Sequence, residues 1–123
     1  MRLLDRCASV EKAGITWTVH SDAPVSNLGT LRKIETAVVR NLWKEPDYVL
    51  APEERVPVET AIRAVTSYAA WQCHSEREIG SLEAGKLADF VVLDRDPRKV
   101  APTSIHEIPV RETWMNGARV YPA

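Results

Sequence analysis

The sequence predicts an α/β fold, and three observations carry the prediction. Apolar residues recur at helical spacing in three segments before residue 76; residues 15–20 alternate with the period of a strand; and the remainder is rich in turn signals around short apolar runs. The chain has 123 residues, 45% apolar and 27% charged, which is the composition of a soluble globular domain long enough to bury a core. A boundary near residue 76 is expected, with helices and one strand in residues 1–75 and a small β unit in 76–123.

Residues 2–13 carry Leu3, Leu4, Cys7, Ala8 and Val10 at helical spacing, and Gly14 suits the left-handed position that closes a helix. Ile15-Thr16-Trp17-Thr18-Val19-His20 is β-branched, aromatic and alternating, so it reads as a strand ended by Ser21-Asp22-Ala23-Pro24. Thr30 is placed to cap a second helix with Leu31, Ile34, Val38 and Leu42 on one face, and Pro46 forbids its continuation. Residues 44–55, with two prolines and four acidic residues, read as an exposed connection. Pro57 suits the first turn of a third helix, whose buried stripe would be Ala61, Ile62, Val65, Ala69 and Trp71. Phe90-Val91-Val92-Leu93 is short enough for a buried strand, and residues 110–115 and 118–121 flank Asn116-Gly117, the strongest two-residue hairpin signal.

The charge balance excludes several functions. Sixteen basic and 17 acidic residues leave a net charge of −1, with the basic side chains scattered, so nucleic acid is not an expected partner. Cys7 and Cys73 form no C-x-x-C pair, which argues against a cysteine zinc site and for a reducing, cytoplasmic setting. Charges within Met1 to Arg6 are unlike a signal peptide, no apolar run reaches membrane-spanning length, and no membrane association is expected.

Few groups could carry chemistry. His20-Ser21-Asp22 closes the predicted first strand, where α/β folds place their sites; on spacing alone a loop anchor is the favoured reading, and a metal site or proton relay the sharper one. His20, His74 and His106 are far apart, with no His-x-His or His-Glu-x-x-His, and Cys73-His74 read as ordinary helix-end residues. The serines have no neighbouring base. Gly80 to Lys86 has the glycine and lysine spacing of a phosphate loop, but Leu87 replaces the required hydroxyl residue and a strand follows instead of a helix. Trp17, Trp43, Trp71 and Trp114 fall at positions assigned to packing.

Ile79-Gly80-Ser81-Leu82-Glu83-Ala84-Gly85-Lys86-Leu87-Ala88-Asp89-Phe90-Val91-Val92-Leu93-Asp94-Arg95-Asp96-Pro97 resembles the C-terminal signature of metal-dependent amidohydrolases. Residues 14–25 resemble the last barrel strand of the branch containing N-substituted formamide deformylases; residues 55–66 its following helix; and residues 113–121 its closing hairpin. The resemblance implies an incomplete fold. It would comprise the last strand and helices of a (β/α)₈ barrel followed by the C-terminal part of a small β-sandwich, because a whole barrel needs about 200–250 residues.

By the same resemblance, Asp22 is the active-site carboxylate, serving as metal ligand and general base; His20 stands where the family often has glycine or another small residue, and its expected role is to line the substrate pocket. Lys86 and Asp89 would fix the sandwich. The implied activity is metal-dependent hydrolysis of non-peptide carbon–nitrogen bonds in small amide-type substrates, with a divalent metal, zinc first among candidates, in the complete enzyme. The family's His-x-His, bridging carboxylate or lysine, and later histidines have no counterpart here, and one carboxylate cannot hold a catalytic metal. The chain alone is therefore expected to be inactive. The alternative is a non-catalytic structural or assembly module. Either version exposes strand edges and apolar faces, so self-association or pairing with a partner chain is expected.

Overall fold

The structure is a computed structural model that describes residues 4–122. Helix α1, Cys7–Lys12, ends where expected: the Gly14 amide donates to Glu11 O at 2.9 Å and the Ile15 amide to Val10 O at 3.1 Å, the paired bonds of a Schellman closure. Leu3, placed on this helix by its spacing, lies outside the described residues.

The expected strand at 15–20 is not formed. A strand exists only through its ladder, and no backbone hydrogen bond engages residues 16–20 among those described. Side chains tether the segment instead. The Trp17 indole donates to Glu11 Oε2 at 2.8 Å, and Thr18 Oγ1 bonds Gln72 Oε1.

Helix α2, Thr30–Val39, begins at its expected cap residue, with Gly29 in the capping position and Thr30 inside. It stops at Arg40, well before Pro46, because Arg40 turns left-handed at φ 60° and sends its guanidinium into the interior. There Nε donates to Leu50 O at 2.7 Å, Nη1 to Asp5 O at 2.7 Å and Nη2 to Leu4 O at 2.9 Å. Three carbonyls from two segments distant in sequence are thereby tied to one buried cation.

The connection after α2 is only partly exposed. Residues 43–48 face solvent, but Leu50, Glu54 and Val56 are buried, and Pro52–Glu54 form a 3₁₀ turn against α1. Glu54 accepts the Ser9 amide at 2.8 Å and the Ser9 hydroxyl at 2.5 Å, with Arg6 nearby. These bonds from Ser9 hold the Glu54 carboxyl below its ordinary value of 4.5. A depressed folded-state value means that the stabilisation is present above pH 4.5 and is lost as pH falls through the lowered value. The urea midpoint should accordingly drop on acidification below that pH. In Glu54→Gln the midpoint should start lower and fall less over the same range.

The single third helix expected from Pro57 to Trp71 is two helices, α3 Val58–Val65 and α4 Ser67–Gln72, broken at Thr66. Pro57 caps α3 from outside, and the buried stripe is Thr60, Ala61, Ala64 and Ala70. Trp71 and Trp43 are exposed, contrary to their expected core positions, whereas Trp17 packs on the core and Trp114 stacks on Phe90 at 5.5 Å. Helix α4 closes as the sequence reading of Cys73-His74 anticipates, with His74 left-handed at φ 55° and amides 74 and 75 bonded to Trp71 O and Ala70 O. His74 is exposed, so glycine should relieve the strain without losing a contact. His74→Gly is expected to stabilise by about 0.5–1 kcal/mol in urea denaturation.

Strands β1 Phe90–Leu93, β2 Val110–Met115 and β3 Ala118–Tyr121 form an antiparallel sheet in sequential order. Asn116 and Gly117 make the β2–β3 turn with positive φ, as the hairpin signal predicts. Asp89 Oδ1 accepts the Asn116 amide at 2.7 Å, which fixes that turn to the start of β1. Lys86 stays within its own turn, donating to Ser81 Oγ at 2.6 Å. Strand β1 is not buried as expected: Val91 and Val92 are exposed, because the sheet's extensive packing is with itself and no helix among the described residues packs extensively on it.

The apolar core lies elsewhere, among Cys7, Ile34, Ala37, Val56, Ala61 and Ile105. Ile105 comes from a 3₁₀ turn, Pro102–Glu107, that the sequence pattern did not signal and that packs on α2. His106 reinforces this docking: its amide donates to the buried Glu35 Oε2 at 2.9 Å, and its Nδ1 lies 2.6 Å from the same oxygen. Arg32 bonds the other oxygen of Glu35 at 3.0 Å.

Candidate functional site

The loop after residue 20 holds the two residues singled out by sequence. Asp22 adopts φ 51°, and its carbonyl accepts the Val25 amide at 2.7 Å, so the chain reverses tightly at Asp22-Ala23-Pro24. Ser26 Oγ donates to Ser21 O, and Ser21 is buried beneath the turn. The Asp22 amide donates to His20 Nδ1 at 3.1 Å. His20 and Asp22 are thus brought together, both exposed, by backbone geometry and not by a strand face.

An open cleft of about 2100 Å³ runs beside this loop, and His20, Trp17, Val25 and Trp43 are among the residues that line it. Asp22 is on the adjoining turn and does not line the cleft. The guanidinium of Arg32 lies 5.3 Å from the Trp43 ring centre, close enough for a cation–π contact at the cleft.

His74 takes no part in this site, and His106 lines the cleft without meeting the loop residues His20 and Asp22. His74 closes α4, and His106 pairs with Glu35, a contact spanning 71 positions that no local spacing could have signalled. Cys7 is buried, which pushes its thiol above the ordinary value despite the opposing charge of Arg40, so it is a packing residue and a poor nucleophile. Ser81 and Lys86 bond to each other and to Glu83 in a turn, with no helix behind them to receive a phosphate.

A divalent metal does not fit the described residues by themselves. No group of three or more His, Cys, Asp or Glu side chains converges among them, whereas a catalytic ion takes about three protein ligands. His20 Nδ1 accepts a hydrogen bond from the Asp22 amide.

Comparison with known proteins places these features in context. A family model described as the amidohydrolase family matches residues 1–121. The N-substituted formamide deformylase of Arthrobacter pascens is 34% identical over 113 residues, covering 92% of this chain and 20% of that protein. YtcJ of Bacillus subtilis, named as an amidohydrolase, is 34% identical over 111 residues, 88% of this chain and 21% of its own length. The chain therefore spans about a fifth of the length of these curated relatives. A crystal structure of an amidohydrolase from Thermotoga maritima superimposes with a TM-score of 0.71 at 23% identity, covering 95% of this chain and 26% of the other. That likeness establishes a shared fold over the matched portion.

Proposed function

The chain belongs to the amidohydrolase family, and from that premise we propose that it forms part of a hydrolase acting on non-peptide carbon–nitrogen bonds in small amide-type molecules. The observation that carries the proposal is the family match over residues 1–121, nearly the whole chain. In this reading residues 1–75 are the closing segment of a (β/α)₈ barrel and residues 76–123 the C-terminal part of a β-sandwich. The unformed strand at 15–20 and the uncovered sheet support it, since both lack the neighbours a complete barrel and sandwich would supply. Exposed Leu4, Ile15, Val25, Leu28 and Trp43 fit the same picture and favour association with further polypeptide, a partner chain or a second copy.

Asp22 is the active-site carboxylate of the proposal. It accepts a proton from the attacking water and returns it to the departing nitrogen, work that a carboxylate held on a tight turn at the pocket rim is suited to do. His20 contacts the substrate from the wall of the cleft. The divalent metal of the complete enzyme, zinc first among candidates, would need ligands beyond the described residues, so the chain alone should be inactive. The two free cysteines suit a reducing, cytoplasmic setting, and no helix of the described residues is long and apolar enough to cross a membrane.

The test is hydrolysis of N-benzylformamide by this chain assembled with the remaining barrel. Asp22→Asn should lower kcat by about 10²–10⁴-fold with little change in KM, the range for loss of a general base. Equal rates in the two proteins would leave the chain a structural module.

A further inference from the structure

Asparagine is a thermolabile residue, and it is most so before glycine, where no side chain shields the following amide nitrogen. The β2–β3 turn is made of that pair, Asn116 and Gly117, whereas the other two asparagines, Asn27 and Asn41, each precede leucine. Both turn residues are exposed, and a Cβ built on Gly117 would meet nothing within 4 Å, so the turn is open to attack and to water. Two bonds pin it. The Asn116 amide donates to Asp89 Oδ1 at 2.7 Å and the Gly117 amide to Ala88 O at 3.2 Å, so the peptide planes on both sides of the Asn116 Cα are held by the residues that precede β1. Asn116 is thereby kept left-handed at φ 48°, where ψ is about +47° and the Gly117 nitrogen stands roughly anti to the Asn116 Cβ about the Cα–C bond.

We propose that Asn116 is a site of spontaneous deamidation and that Asp89, by locking the turn, holds its rate down. In the reaction the Gly117 nitrogen gives its proton to hydroxide and attacks Cγ of Asn116. The Cγ–Nδ2 bond breaks, Nδ2 departs as ammonia with the electron pair and a proton taken from water, and a five-membered succinimide remains. One water then opens either ring C–N bond to leave aspartate or isoaspartate, and nothing is oxidised or reduced. Closure of the ring needs the Gly117 nitrogen and the Asn116 Cβ nearly eclipsed about the Cα–C bond. The two pinned peptide planes prevent that rotation until their bonds to Asp89 and Ala88 open.

The product undoes the restraint. A carboxylate at position 116 stands beside Asp89, and the like charges repel. Isoaspartate also adds a methylene to the main chain, so a two-residue loop that matched the twist of its strands no longer does, and the adjacent pairing of Met115 with Ala118 is the first to be lost. Deamidation therefore opens the hairpin irreversibly.

The test incubates the full chain at mildly alkaline pH, folded and in guanidinium chloride, and follows the mass gain and isoaspartate content of the peptide that contains residue 116. Asn116 should convert before Asn27 or Asn41. Conversion should be at least about tenfold faster in the unfolded chain, since a hydrogen bond to a charged acceptor is worth that much in an equilibrium. Asp89→Ala should speed conversion in the folded chain about tenfold while the Cys7 amide, in the helical part, keeps its exchange protection. Should Cys7 open as well, Asp89→Asn, which keeps an acceptor oxygen, decides the matter by converting at a rate between wild type and Asp89→Ala. Equal rates in the folded and unfolded chain, equal rates in wild type and both Asp89 variants, or earlier conversion of Asn27 or Asn41 would each overturn the proposal.

Discussion

Gly80→Ala should lower the unfolding free energy by about 3 kcal/mol, and Gly85→Ala by about half of that or less. Both glycines have the same backbone conformation, φ +91° and φ +94°, so both substitutions incur the strain of a side chain in left-handed space, about 1–2 kcal/mol. They differ in surroundings. A Cβ at Gly80 would lie 2.5 Å from Ala70 Cβ, 3.1 Å from Ser67 Cα and 3.2 Å from Thr66 O, whereas one at Gly85 meets nothing within 4 Å. The obstructing atoms belong to the cap, start and middle of α4, and two of them are backbone, so the clash cannot be relieved by a rotamer change. Overpacking of this kind costs about 1–3 kcal/mol beyond the strain. Urea denaturation of both variants isolates the close approach, and equal losses would show that the chain near Gly80 does not press on α4.

Arg40→Ala is expected to cost about 4 kcal/mol, a large fraction of the 5–15 kcal/mol that stabilises an ordinary domain. The guanidinium is buried and makes three bonds to main-chain carbonyls, each of them charge-assisted and each worth about 1.5–3 kcal/mol before coupling among them is counted. Removing it leaves Leu4, Asp5 and Leu50 carbonyls short of a donor at the point where the start of the described chain meets the end of α2. Lysine should recover little, since a single ammonium cannot reproduce a planar fork that reaches three acceptors. Arg40→Gly provides the control for backbone strain at φ 60° and should lose slightly less than alanine. Amide exchange should show the earliest opening at Cys7, whose N–H is bonded to Asp5 O. Unchanged protection there in Arg40→Ala would mean that the three carbonyls are not held by this side chain.

Elements with a local cause were legible in the sequence. The closures of α1 and α4, the Asn116-Gly117 hairpin and the existence of β1 depend on residues within a turn of one another, and all four are present. The nomination of His20 and Asp22 came from their place at the end of an expected strand and, for Asp22, from the family resemblance, and the structure adds the hydrogen bond that joins them. The break at Thr66 was invisible because residues 58–72 keep helical spacing throughout, while the close packing of Gly80 against Thr66, Ser67 and Ala70 is a contact from outside the helix. The early end of α2 had no breaker in its sequence. Its cause is a buried arginine whose acceptors lie 10 to 36 positions away.

The strand expected at 15–20 marks the division most clearly. Alternation in Ile15 to His20 records which faces a strand would show, but pairing is a property of two segments, and no second segment bonds to the backbone of residues 16–20 among the described residues. Likewise the apolar run of β1 was visible while its exposure was not, since burial depends on what lies across the sheet. Sequence by itself determined the family, the α/β character, the local turns and the two candidate site residues, because these are written in short-range pattern and motif. Only the tertiary structure decided that Ile105 and His106 dock on α2, that Arg40 gathers three distant carbonyls, and that His20 is oriented by the backbone of Asp22. Those features rest on hydrogen bonds and packing between particular atoms, whose meeting is set by the folded path of the chain and not by the order of its residues.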